Sequence, residues 1–230
     1  FSVVGGVRYT EDKRDFAGCT ADSGAGDLSR FFSPIVNSLR AARGLPPIAA
    51  TAPGACVTLD ANLNPGLQQK SLDENNVAFH AGLNWKPAPR TLIYATVSQG
   101  YKAGAFATLG STTEVQLRPV TQEKLIAYEV GVKTNPLGSA LQVNAAAFYY
   151  DYTDKQQRGR IIDPTFGGLS TLVNVPKSRI YGAEFDASLR PVDGLTIYAS
   201  YLYRNTKLTE FTGINFSNQS EDFDGDSLKF

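Results

Sequence analysis

Seven times along the chain, apolar and polar residues alternate with a period of two, and no other feature constrains its fold as much. In 180–190, Tyr181, Ala183, Phe185, Ala187 and Leu189 oppose Glu184, Asp186, Ser188 and Arg190. In 195–204, Leu195, Ile197, Ala199, Tyr201 and Tyr203 oppose Thr196, Ser200 and Arg204. The same split runs through 1–9 (Val3, Val7 and Tyr9 against Ser2 and Arg8) and 77–86 (Val77, Phe79, Leu83 and Trp85 against His80 and Asn84). It recurs in 91–101, 125–133 and 141–149. This period belongs to β-strands whose two faces meet different surroundings. Seven strands are predicted, with an eighth beginning near Leu228.

The connections come in two sizes. Pro87-Ala88-Pro89, Asn135-Pro136-Leu137-Gly138 and Pro191-Val192-Asp193-Gly194 carry tight-turn chemistry. Residues 11–76, 105–121, 155–174 and 206–227 read as long loops. Short and long alternate strictly, so the short turns fall at one end of an up-and-down sheet and the long loops at the other.

Composition removes several classes. Lys plus Arg and Asp plus Glu are both 22, so there is no basic footprint for nucleic acid. Charged residues are 19% and hydrophobic ones 42%, too apolar for a disordered chain. No apolar run approaches the length of a transmembrane helix, which leaves a β-barrel open, since its strands need only alternate apolar residues. Cys19 and Cys56 share one Gly-, Ala- and Pro-rich segment and are predicted to form a disulfide, which implies an oxidising compartment.

Alternation alone fits a soluble β-sandwich or small barrel with its apolar face inward, and equally an outer-membrane barrel with that face outward. Two features favour the membrane barrel. Loop asymmetry matches short periplasmic turns and long extracellular loops. Aromatics of the apolar face (Tyr9, Phe79, Tyr101, Tyr149, Tyr181, Tyr201, Tyr203) gather near the long-loop ends, as an interfacial girdle would. The competing expectation is a secreted carbohydrate- or ligand-binding module.

Five blocks, in order, carry a resemblance: TLIYATVSQGYKAGAF (91–106), AYEVGVKTN (127–135), LQVNAAAFYYDYTDKQ (141–156), NVPKSRIYGAEFDASLRP (174–191) and GLTIYASYLYRN (194–205). Together they resemble the barrel of TonB-dependent outer-membrane receptors. The resemblance implies an all-β fold: antiparallel up-and-down transmembrane strands, part of a large, 22-stranded barrel. It implies active uptake of a nutrient such as a ferric siderophore, energised through TonB and an N-terminal plug. No plug sequence is visible. With no Met and strands at both ends, residues 1–230 are expected to be part of one barrel domain, with 11–76 a long disulfide-containing extracellular loop. A complete eight-stranded barrel is the alternative.

Arg and aromatic side chains near the long loops suit an anionic or catecholate-like ligand. Tyr101, Lys102, Arg118, Arg158 and Arg160 are therefore the candidate ligand residues. Arg8, His80, Lys102, Glu129, Lys133, Glu184, Asp186 and Arg190 are expected to line a polar lumen. Asp222, Asp224 and Asp226 alternate around a Gly but lack an EF-hand pattern, and no metal site is assigned. No Gly-x-Ser-x-Gly, Walker loop or Cys–His pair is present, so no catalytic residue, enzyme activity or cofactor is expected. Expected partners are the TonB system, a small iron complex and outer-membrane lipid, with no nucleic acid.

Overall fold

The computed structural model describes residues 1–228 apart from Ser23 and Leu109. Seven long strands form one antiparallel sheet: β1 (Ser2–Gly18), β2 (Gln68–Ala88), β3 (Thr91–Lys102), β4 (Glu123–Thr134), β5 (Leu141–Asp163), β6 (Gly167–Val192) and β7 (Leu195–Glu210). Their spatial order is their chain order, so each pairs only with its sequence neighbours. β1 and β7 do not pair with each other, and the sheet is open.

Register keeps the two faces apart. Tyr128, Tyr149 and Tyr181 lie in one cross-strand row on the apolar face, the first two with ring centroids 6.4 Å apart. Val7 (78% exposed) and Tyr201 (66%) show that nothing among the described residues covers that face there. Large residues in contact with water across so wide an area mark a surface built to meet an apolar medium.

The polar face is held by its own contacts. The Tyr94 hydroxyl donates to Glu129 Oε1 at 2.7 Å, and Lys133 lies 5.5 Å from the Tyr94 ring centroid. The Tyr94 ring lies across its cross-strand partner Gly131, where any Cβ would meet ring atoms at about 2.5 Å. Phe148 covers Gly182 in the same way. Two glycines thus admit two rings flat against the sheet. Further along this face, Ser200 donates to Asp186 at 2.7 Å.

The three short turns fall within two residues of the expected places, at 89–90, 136–137 and 193–194, with Pro87, Ala88, Pro191 and Val192 still in strands, but the long connections differ. Residues 11–18 and 68–76, expected inside a loop, continue β1 and β2 in unbroken register, from Glu11↔Asn75 to Gly18↔Gln68. Residues 155–163 and 167–174 likewise continue β5 and β6, leaving a three-residue turn at 164–166. These extensions carry polar residues on both faces, so alternation fades while backbone pairing persists. Between β1 and β2 lies a helix that the strand-based reading missed, α1 (Asp27–Ala42). Residues 206–210 extend β7, and a small hairpin follows: β8 (Thr212–Ile214) and β9 (Ser220–Asp222).

No strand begins at Leu228, and Lys229 and Phe230 lie outside the described residues. Instead the chain after β9 returns to the open edge of β7. Leu208 donates to the Asp226 carbonyl at 2.8 Å and accepts from the Gly225 amide at 2.9 Å. Leu228 is buried with Val175, Ile180 and Leu208, packed by Phe148, Tyr150 and Tyr152.

Candidate functional site

The long-loop end is a laced cap, assembled from three segments. The first is the lobe between β1 and β2. Cys19 and Cys56 are joined by a disulfide that closes this lobe at its base. Inside, Asp22 Oδ2 accepts the Ser29 amide in the first turn of α1, and Oδ1 accepts the Gly26 and Gly24 amides. The Ser29 bond, helped by those from Gly26 and Gly24, holds the Asp22 carboxyl below the ordinary carboxylate range despite burial, which acts in the opposite direction. α1 packs Val36 and Leu39 against Leu59, Leu63, Ile48 and Phe166.

Arg40 is the polar keystone of the lobe. It is 5% exposed. Its guanidinium donates to the Pro46 carbonyl (2.8 Å), the Asn62 carbonyl (2.9 Å) and Asn64 Oδ1 (2.8 Å), with a longer bond to Leu63 O (3.3 Å). Asn64 in turn donates to Asp60 Oδ2 at 3.0 Å. A buried cation is tolerable when its fork is saturated in this manner.

The second segment, 103–122, is bonded to the first and to the strands. The Leu59 amide donates to Thr112 O at 2.9 Å and the Glu114 amide to Leu59 O at 2.8 Å. Thr58 Oγ1 donates to Ser111 O at 2.8 Å. Lys70 holds Glu114 at 3.1 Å, while Glu74 accepts the Gly104 and Gln122 amides at 2.9 and 2.7 Å. The third segment is the β5–β6 overhang. Gln116 donates to Ser170 O at 2.9 Å, and Arg43 of the lobe donates to Thr165 Oγ1 at 2.6 Å. A cavity of about 240 Å³ remains where the three meet, lined by Arg43, Asp60, Thr113, Glu114, Arg118 and Asp163 among others.

The five candidate residues do not converge. Tyr101 is the penultimate residue of β3, its hydroxyl accepting from Gln99 at 2.9 Å. Lys102 lies 4.0 Å from Glu123, which Lys155 also approaches at 3.8 Å. Arg118 stands at the cavity. Arg158 is exposed on the β5 overhang. Arg160 donates to Gly168 O (3.0 Å) and Asn218 Oδ1 (2.8 Å) and lies 5.6 Å from the Phe216 ring, which ties the β8–β9 hairpin to the overhang. Sequence reading missed Arg40 and Arg43; only their place in the fold distinguishes them. Asp222 and Asp224 cap turn amides, those of Asp224 (3.0 Å) and Phe211 (2.7 Å). Among the described residues no three His, Cys, Asp or Glu side chains gather as a metal site would require.

Residues 1–229 match the family described as TonB dependent receptor-like, beta-barrel. The chain belongs to this receptor family. A curated relative named "Probable TonB-dependent siderophore receptor PiuA", from Acinetobacter baumannii, is 29% identical over 139 residues, 58% of this chain and 18% of its own length. Among solved structures, the ferric yersiniabactin uptake receptor FyuA of Yersinia pestis superposes with a TM-score of 0.52 at 22% identity, covering 68% of this chain and 22% of that one. The copper transporter OprC gives 0.56 at 18% identity, covering 90% and 27%. These structural likenesses show the fold. The chain spans about a fifth of the length of the relatives it matches. Receptors of the family are outer-membrane β-barrels, an architecture in which the apolar face of alternating strands is outward and the polar face inward.

Proposed function

We propose that this chain is a segment of the barrel of an outer-membrane receptor that imports a ferric siderophore or similar iron complex, energised by TonB acting on a plug outside this segment. The family match over 1–229 carries the reading. In it the apolar face of β1–β7 meets lipid, the polar face with Tyr94, Glu129, Glu184 and Asp186 lines the conduit, and the cap faces outward. Tyr101, Lys102, Arg118, Arg158 and Arg160 offer stacking surface and charge to an anionic chelate. The protein moves its ligand unchanged and acts as a transporter, with no enzyme activity.

This segment has no Met, and both its Cys are in the disulfide, so this stretch itself offers no thioether or thiolate to copper(I).

The test is uptake of radiolabelled iron by cells starved of iron, with the gene present, deleted or restored. Ferric catecholate, hydroxamate and mixed chelates are offered in turn. Deletion should abolish uptake of one class, as should loss of TonB. Undiminished uptake of every iron complex in the deletion strain overturns the reading.

A further inference from the structure

The apolar face changes character just above its tyrosines. Toward the cap, the row that follows Tyr128, Tyr149 and Tyr181 holds Ile126, Asp151, Arg179 and Lys207, each opposite the next across β4–β7. The row after it holds Lys124, Thr153, Lys177 and Glu210. Four cations thus share two rows with two carboxylates. Lys177 and Glu210 form an ion pair at 2.6 Å and satisfy each other. Asp151 stands across from Arg179 without an ion pair to it, and its field bears on Lys177. Lys124, Arg179 and Lys207 have no ion pair or side-chain hydrogen bond among the described residues.

Arg179 and Lys207 are like charges placed directly opposite each other, which destabilises a sheet. An anion between them turns that repulsion into a grip, because a guanidinium fork and an ammonium can both donate to phosphate oxygens. Depth says where such an anion comes from. Successive rows on one face lie about 7 Å apart along the strands, or about 5 Å in height at a barrel tilt of about 40°. Tyrosines of a barrel girdle sit at headgroup level. The headgroup zone is about 5–7 Å deep beyond the hydrocarbon. Arg179 and Lys207 therefore stand at the depth of lipid phosphates, with an apolar wall for acyl chains directly below. Lys124 is two strands and one row from Arg179, about 12 Å by the same spacings, so two long side chains enclose one headgroup.

We propose that Arg179 and Lys207, with Lys124 on the far side, hold the phosphate monoester of an outer-leaflet lipid headgroup. The lipid's acyl chains lie along the apolar face beside Tyr149 and Tyr181. The site is on the opposite side of the sheet from Tyr94 and Glu129. It rests on the reading that this face meets lipid and the cap faces outward, and it is independent of which nutrient is carried.

Native mass spectrometry on the intact receptor in neutral detergent micelles tests this by measuring retained lipid. The probes are dioleoyl phosphatidate, dioleoyl phosphatidylcholine with the same acyl chains, and inorganic phosphate. Phosphatidate should bind at least about tenfold more tightly than phosphatidylcholine, whose phosphate is masked by choline. Inorganic phosphate at about 10 mM should not displace it, since the acyl chains supply part of the affinity. Each basic residue near a membrane surface contributes about fivefold. Arg179→Gln with Lys207→Gln should therefore weaken phosphatidate about thirtyfold and Lys124→Gln alone about fivefold, each leaving phosphatidylcholine unchanged. Arg30→Gln, on exposed α1, should change neither. Equal binding of the two lipids overturns the proposal, as does indifference to both sets of substitutions. Full displacement by inorganic phosphate overturns the lipid as the source of the anion. A nitroxide at Val130→Cys, on the same face and 52% exposed, separates the two levels in a bilayer. If it meets water-soluble quencher more than oxygen, the lipid-facing reading fails and the site with it. If it meets oxygen while the substitutions change nothing, the headgroup site alone fails.

Discussion

Arg40 offers the sharpest test of how the cap is held. Arg40→Met keeps a long, helix-compatible side chain and removes the guanidinium. Three acceptors at 2.8–2.9 Å lose their donor: the Pro46 and Asn62 carbonyls and Asn64 Oδ1. Hydrogen bonds to a charged group contribute about 1.5–3 kcal/mol each. Taking the lower end, because carbonyls near the surface regain water, the three sum to about 4–5 kcal/mol. At about 1.4 kcal/mol per decade, opening of the lobe becomes roughly a thousandfold more frequent. Limited proteolysis of the intact receptor reads this directly when closing outpaces cleavage, because the rate then follows the population of the open form. Cuts should concentrate in 21–63 and spare β3–β7. Arg40→Lys keeps the charge without the planar fork and should fall between the two. An Arg40→Met receptor cleaved within about threefold of wild type would refute the keystone role.

Three further outcomes are expected. Cys19→Ser with Cys56→Ser opens a loop of sequence separation 37; loop-closure entropy sets the loss at up to about 4 kcal/mol, and protease sensitivity of the lobe should rise as much on reduction of the wild type. Gly182→Ala places a Cβ against the Tyr203 backbone carbonyl, whereas Gly131→Ala meets only the movable Tyr94 ring, so the first should cost about 1–3 kcal/mol or more and the second less, read as loss of heat-modifiable mobility in electrophoresis. The lowered pKa of Asp22 places its contribution above the unfolded value of about 3.9, to be lost as pH falls through the folded value; the wild-type lobe should gain protease sensitivity in that acid range, and Asp22→Asn should lack that step.

The strands were legible wherever two different media demand two different faces. Tyr181 to Leu189 reads as a strand because odd and even positions serve opposite surroundings, and β6 is there. Beyond that zone the demand lapses. Glu11-Asp12-Lys13-Arg14-Asp15 is polar on both faces, yet it is strand, because cross-strand hydrogen bonds to 71–75 need no particular side chains. α1 had a helical signal in Leu28, Phe32, Val36 and Leu39, spaced by three or four, but Pro34 interrupts it and Gly and Pro dominate its flanks. The candidate site was the least legible part. Arg118 stood out by type, but Arg40 matters only because the chain folds back to bring the Pro46 and Asn62 carbonyls and Asn64 Oδ1 to its guanidinium.

A sheet in which every strand bonds only to its chain neighbours also dictates how such a chain is built. Each hairpin can close on itself before the next is made, so the loop-closure entropy of pairing is incurred in small steps, and fast, progressive zippering is the natural route. At every stage the last strand added presents an unpaired edge, as β7 does here apart from its contacts with the returning segment. Such an edge attracts any other strand at hand. The order of synthesis and shielding of the growing edge are therefore as much a requirement of this fold as its alternating residues.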